Sequence, residues 1–189
     1  MFDYIEIEPF EEKITRAYFK DFITIIYTIH SEGEYVHADL KPENILLTKE
    51  EFLLKISDFG NSFPLGEVQR PEFFSKEYTP PEILDESYKK IPNYTGVKID
   101  IYAAGLVLLC MHISGMPYGD EAYFKILKEK DYDKFWENCA RISQRIELSS
   151  TFKDLVVKMI AADPNERIDL EQIPSHPWFD DKLKYSSPA

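Results

Sequence analysis

The chain has 189 residues, 44% hydrophobic and 14% aromatic, enough apolar material for one domain with a real core and not the composition of a disordered chain. Thirty-four acidic against 22 basic side chains give a net charge of −12 at pH 7. Such a surface repels phosphate backbones and anionic lipids, so no nucleic acid and no membrane is expected as a partner; plain solubility is the simplest consequence, and a basic protein or peptide is the compatible partner.

The two cysteines, Cys110 and Cys139, stand in no metal or redox spacing, which fits a reducing, cytoplasmic setting. The opening MFDYIEIEPFEEK is acidic and mixed, unlike a signal or transit peptide. In chain order, Ile14, Tyr18, Phe22, Ile25 and Ile29 recur at steps of three and four, widened by Phe19 and Ile26; this predicts an amphipathic helix from about Glu11 to Ser31, ended by Gly33. Short apolar runs follow at Tyr35–Val36, at Ile45–Leu47 and from Phe52 to Ile56. They are too short for helices and read as strands, the last two forming a hairpin across Thr48–Glu51.

Residues 61–82 lack periodicity and hold Pro64, Gly66, Pro71, Pro80 and Pro81, which predicts a long functional loop. Asp100 is expected to cap a second, apolar helix reaching about His112, broken by Gly115, Pro117 and Gly119. The run Ile99–Met116 is the most apolar of the chain, but it contains Asp100 and His112 and is short for a membrane span; it predicts a buried helix. Further helices are expected over Glu121–Lys130 and from about Phe152 to Ala162, the latter capped by Ser150 or Thr151. Pro174 and Pro177 bracket a final short segment, and a domain over residues 1–180 is followed by a loose tail, 181–189.

The informative string is His37-Ala38-Asp39-Leu40-Lys41-Pro42-Glu43-Asn44. Asp58-Phe59-Gly60 begins 14 residues after Asn44, and Pro80-Pro81-Glu82 follows a further loop. Singly, Asp39 and Asp58 read as turn residues and Lys41 as a surface charge. In this order, with Asp100 and Arg167 beyond, they resemble the eukaryotic protein kinase family of serine/threonine type. Phe10-Glu11-Glu12 ahead of Arg16-Ala17-Tyr18-Phe19, Asp133-Lys134-Phe135-Trp136, and His176-Pro177-Trp178-Phe179 look most like its calcium/calmodulin-dependent and AMP-activated branches.

The resemblance implies an α+β, mostly helical fold: a kinase C-terminal lobe with small β-hairpins around a catalytic loop, and no N-terminal lobe. It implies ATP and Mg²⁺ as cofactors and a protein or peptide substrate. Asp39 would accept the substrate hydroxyl's proton, and Lys41 would neutralise charge on the transferred phosphoryl group. Asn44 and Asp58 would offer Mg²⁺ hard oxygen ligands. Leu46 would lie under the adenine, and Phe59 would set the direction of Asp58. Glu43 would select basic side chains in the substrate, and Ser75 would contact Asp39 and Lys41. Glu82 would pair with Arg167, and Asp100 would also hold the backbone of the catalytic loop. His37 reads as a packed structural histidine rather than a base.

Departures from the family pattern qualify these expectations. The 189 residues contain no glycine-rich phosphate loop, no strand lysine and no helix glutamate to hold it, so weak or absent ATP binding is expected from this chain alone. The face that a small lobe normally covers should be apolar and exposed, open to an N-lobe or a partner protein. Ala38 replaces the arginine that in the family binds an activation-loop phosphate. The alternatives to a catalytic lobe are a pseudokinase-like interaction module and a fragment without independent function.

Overall fold

The computed structural model describes residues 1–67, 75–84, 96–113, 115, 121–142 and 148–180. The apolar run in the second half of the chain becomes helix α4, Val97–Ile113, and every residue from Ile99 to Ile113 is buried. A helix that is apolar all round belongs in the centre of a core. Helices α2, Glu12–Ser31, and α7, Ser150–Met159, pack against it. At the α4–α7 crossing a Cβ on Gly105 would lie 2.8 Å from both Met159 Cβ and Ile160 Cγ2, so only glycine permits this approach.

The long N-terminal helix forms as expected, but its buried stripe is rotated. Phe19, Phe22, Ile23 and Ile26 are buried while Ile14 is 45% exposed. The stripe also includes Arg16 and His30, two polar residues that apolar periodicity does not count. Arg16 donates to Glu12 at 3.0 Å and lies over the Trp178 ring at 5.3 Å. The same Glu12 oxygen accepts from Ser149 Oγ and from Trp178 Nε1, both at 3.1 Å. Phe19 stacks on Phe179 and meets Trp178 edge-on. Residues 176–179 are thus fastened onto the beginning of α2.

Helix α1, Phe2–Ile7, precedes α2. Two small antiparallel sheets follow. Strand β2, Ile45–Leu47, pairs with β3, Leu54–Ile56, in the predicted hairpin. The second strand starts two residues later than expected because Phe52 has φ 53°, a left-handed conformation that turns the chain and cannot extend a ladder. Strand β1, Tyr35–Val36, pairs with β4, Phe63–Pro64, a strand inside the segment expected to be loop. Within that segment the helix α3, Pro81–Leu84, and a 3₁₀ turn, Lys76–Tyr78, also form. Residues 68–74, and the breakers Pro117 and Gly119, lie outside the described residues, as does the predicted tail at 181–189.

Helix α5, Glu121–Glu129, stands where predicted, and α6, Tyr132–Ile142, is an addition. The cap of α7 is neither Ser150 nor Thr151 but Ser149, whose extended backbone lets its Oγ accept from Phe152 N at 3.2 Å; the helix closes at Met159, before the expected Ala162. Asp100 is likewise not the cap of α4. The helix begins at Val97, which leaves Asp100 inside it. The α+β, mostly helical architecture with small β pairs agrees with the sequence reading. Among the described residues no helix is long and apolar enough to cross a membrane.

Candidate active site

The loop from His37 to Asn44 runs between β1 and β2, held from below by the buried carboxylate of Asp100. Asp100 Oδ2 accepts from His37 N and Oδ1 from Ala38 N, both at 2.8 Å. Ala38 has φ 64°, a conformation that a residue with a Cβ adopts at a cost of about 1–2 kcal/mol. Its methyl is packed with Val36, Phe63 and Ile99. His37 braces the loop from the other side: its ring bonds Ser57 O at 3.1 Å through Nε2 and accepts from Asp39 N at 3.3 Å through Nδ1. Both ring nitrogens are thus engaged with backbone.

Above this support, three polar side chains close a ring. Lys41 Nζ donates to Asp39 Oδ2 at 3.0 Å and to Ser75 Oγ at 2.7 Å, while Ser75 Oγ donates to Asp39 Oδ1 at 2.9 Å. Asp39 is 8% exposed, so its carboxylate works in a partly desolvated setting where nearby charges act strongly. Asn44 ends a 3₁₀ turn, Pro42–Asn44, that begins with proline. Its Nδ2 donates to Asp39 O at 2.8 Å and to Asp39 Oδ2 at 3.2 Å, which leaves the amide oxygen for another ligand.

Asp58 is brought to the same region by its neighbour. Ser57 N and Oγ both donate to Asn44 O, at 2.9 and 3.1 Å, and Ser57 O meets the His37 ring. Asp58 has φ 64° and an exposed carboxylate, one oxygen of which accepts from Gly60 N at 3.3 Å. Phe59 lies edge-on to His37 at 4.8 Å. One amide oxygen and one free carboxylate are hard donors of the kind that a magnesium ion takes when phosphates and water complete its shell. Among the described residues no group of three or more His, Cys, Asp or Glu side chains could hold a metal by itself.

Leu46 is 49% exposed on β2, and Phe52, Leu53 and Phe59 are exposed as well. Glu43 is exposed on its 3₁₀ turn, outside the Asp39 ring. Glu82 and Arg167 form a two-armed ion pair of their own, 2.6 Å on each arm. The residues singled out in the sequence therefore fall into a polar cluster around Asp39, its loop support and a buried ion pair. Sequence reasoning missed one residue of the support: His30, whose Nε2 bonds Asp100 Oδ2 at 2.7 Å. Nothing in its own neighbourhood signals that contact, because its partner is 70 positions away.

With this geometry in view, comparison with known proteins is informative. The model of the protein kinase domain matches residues 1–179. The chain is 34% identical over 95% of its length to CBL-interacting protein kinase 26 of Oryza sativa subsp. japonica, covering 34% of that protein. It is 32% identical over its full length to the phosphorylase b kinase gamma catalytic chain, liver/testis isoform, of Rattus norvegicus, covering 46%. To the SNF1-like protein kinase ssp2 of Schizosaccharomyces pombe it is 32% identical over 97% of its length, covering 30%. The chain thus spans between about a third and a half of these relatives. A matched family model over nearly the whole chain and serine/threonine kinase relatives in the expected branches lead to one conclusion: the chain belongs to the protein kinase domain family.

Proposed function

We propose that this chain is the substrate-binding lobe of an ATP-dependent serine/threonine protein kinase. The observation that carries the reading is the closed ring of Asp39, Lys41 and Ser75 with Asn44 against it. Asp39 orients the substrate hydroxyl and takes its proton. Lys41, held at 3.0 Å from Asp39, stands where a cation neutralises charge that develops during transfer. The Asn44 amide oxygen, Asp58 and the phosphates would hold Mg²⁺, which supplies charge neutralisation at the phosphoryl group when bound. Leu46 supplies the apolar floor for the adenine. Ser75 fixes the rotamers of both Asp39 and Lys41, so neither swings during a cycle. Exposed Glu43 favours a substrate with a basic residue near the phosphorylated one.

Regulation follows from Ala38. Its methyl sits in an apolar cluster and offers no cation, so a phosphate on the loop after Asp58-Phe59-Gly60 finds no partner there. A second reading, a non-catalytic docking module, is favoured by the exposure of the large apolar side chains Leu46, Phe52, Leu53 and Phe59. The 189 residues lack a glycine-rich loop, so the test uses the chain joined to a kinase small lobe. Transfer of label from ATP to a basic serine peptide, in the presence of Mg²⁺, should fall by orders of magnitude in Asp39→Asn. Equal incorporation by both proteins refutes the enzyme reading.

A further inference from the structure

We propose that a cavity between α2 and residues 170–179 is a binding site for a phosphate monoester carried on an apolar group. None of its lining residues belongs to the ring around Asp39, so the site stands or falls independently of the kinase reading.

Lys13, Arg16, Ala17 and Lys20 stand at i, i+3, i+4 and i+7 of α2 and so share one face of that helix. The 3₁₀ turns Leu170–Ser175 and Pro177–Phe179 pack nearby. Between helix and turns is a cavity of about 310 Å³, lined by these four residues together with Pro174 and Phe179. That volume is at the small end of ligand sites, room for a compact head group and a ring. Among the described residues every charged side chain on the lining is a cation. Three cations with no carboxylate beside them in the lining run against the composition of a chain with 34 acidic and 22 basic side chains.

The three cations differ in kind. Arg16 is 8% exposed and already ordered: it donates to Glu12 at 3.0 Å and lies over the Trp178 ring at 5.3 Å. An arriving anion therefore pays little to orient it, and Glu12 offsets that one charge. Lys13 and Lys20 are exposed, and among the described residues neither forms an ion pair. They are about 10 Å apart along the helix axis, a span that two long, flexible side chains close around one group. A carboxylate brings a single negative charge to them, whereas a phosphate monoester brings about −1.5 to −2 at pH 7 and three strong acceptor oxygens. The remaining lining is apolar. Ala17 is small and keeps the volume open, and the partly buried Phe179 ring is fixed by Phe19 and Trp178. A fixed ring beside Pro174 favours an ester with an apolar substituent over the bare phosphate ion.

The experiment is titration of the ¹⁵N-labelled chain, read from its amide shifts, with phenyl phosphate, inorganic phosphate, benzoate and a short tyrosine-phosphorylated peptide. Phenyl phosphate should shift the amides of Lys13, Ala17, Lys20 and Phe179 with a dissociation constant on the order of millimolar, as expected for so small a ligand. Inorganic phosphate lacks the ring and benzoate the second charge, so each should bind several-fold more weakly. The double variant Lys13→Gln, Lys20→Gln should weaken phenyl phosphate about tenfold or more, the loss expected for charge-assisted bonds. Ala17→Leu should weaken it as well, by filling the cavity while every charge is kept. Shifts scattered over the surface overturn the proposal. So does equal affinity in wild type and the lysine variant, and so does benzoate or inorganic phosphate binding as tightly as phenyl phosphate. Should the lysine variant fail to fold, Ala17→Leu decides: weakened binding supports the site, and undiminished binding overturns it.

The peptide arm separates the two sources of such an ester. A phosphopeptide that binds at the same amides more tightly than phenyl phosphate assigns the group to a partner protein. One that leaves those amides unmoved, while phenyl phosphate shifts them, assigns it to a free small molecule. Either ranking supports the cavity as the site.

Discussion

Removing one partner of the Glu82–Arg167 pair should be among the most destabilising single changes in the molecule. Both side chains are essentially inaccessible, and the guanidinium donates on two arms to Glu82 at 2.6 Å. It also reaches the carbonyls of Ala161 at 2.8 Å, Lys98 at 2.9 Å and Ala162 at 3.5 Å, and its face lies 4.9 Å from the Tyr102 ring centre. Glu82→Leu leaves that cation buried with backbone carbonyls and a ring but no counter-charge. The expected loss is about 3–5 kcal/mol, a third or more of a typical domain's total stability. With a urea dependence of about 2 kcal/mol per molar, the unfolding midpoint should fall by roughly 1.5–2.5 M at constant slope.

The double variant Glu82→Leu, Arg167→Met removes the stranded charge as well. Its cost should be smaller, about 1–2 kcal/mol, arising from the carbonyls of Ala161, Ala162 and Lys98 that lose the guanidinium as a donor. Urea denaturation followed by circular dichroism measures wild type, Glu82→Leu, Arg167→Met and the double variant. A Glu82→Leu unfolding free energy within about 0.5 kcal/mol of wild type refutes the reasoning, as does a double variant that loses the sum of both singles.

Partial burial of Asp154 would raise its carboxyl pKa, but hydrogen bonds from Lys158 and His176 outweigh it and hold the group below its ordinary 3.8. A depressed folded pKa contributes stability that is present above 3.8 and lost as the pH falls through and below that value. Asp154→Asn should therefore flatten the acid limb of a melting-temperature profile, and an unaltered limb counts against the pairing. Burial pushes the thiols of Cys110 and Cys139 up to about 12, so neither should react with a disulfide reagent at pH 8 until the chain unfolds; rapid titration of either in the native state contradicts that burial. Gly105→Ala should cost about 1–3 kcal/mol in chemical denaturation, because its Cβ would overlap Met159 and Ile160; a neutral effect would mean that α4 and α7 separate freely.

Signals read from the sequence succeeded where the physics is local. The β2–β3 hairpin and helix α4 follow from short-range apolar pattern, and the Asp39–Asn44 string is legible because its members stand within five residues of one another, where Lys41 and Asn44 both reach Asp39. Signals failed where a distant partner decides. Strand β4 is two residues long and is defined by Val36 and Tyr35 across the chain, so Phe63–Pro64 reads as loop. The stripe of α2 is displaced because Arg16 and His30 are buried through partners at Glu12, Trp178 and Asp100. Asp100 looks like a helix cap beside its apolar run, but its carboxylate is taken by the loop amides. Helix α6 was there to be read: Phe135 and Cys139 stand one turn apart and are both buried.

The Glu12 oxygen that gathers Arg16, Ser149 and Trp178 has a consequence for biosynthesis. Helix α2 emerges from the ribosome well before the indole that completes its polar clasp, which is 166 residues downstream of Glu12. Until that tryptophan emerges, Phe19 has no aromatic lid and the growing polypeptide displays an apolar helix face to solvent. Chains stalled before Trp178 should therefore be conspicuous clients for chaperones and proteases, whereas those released just beyond it should escape.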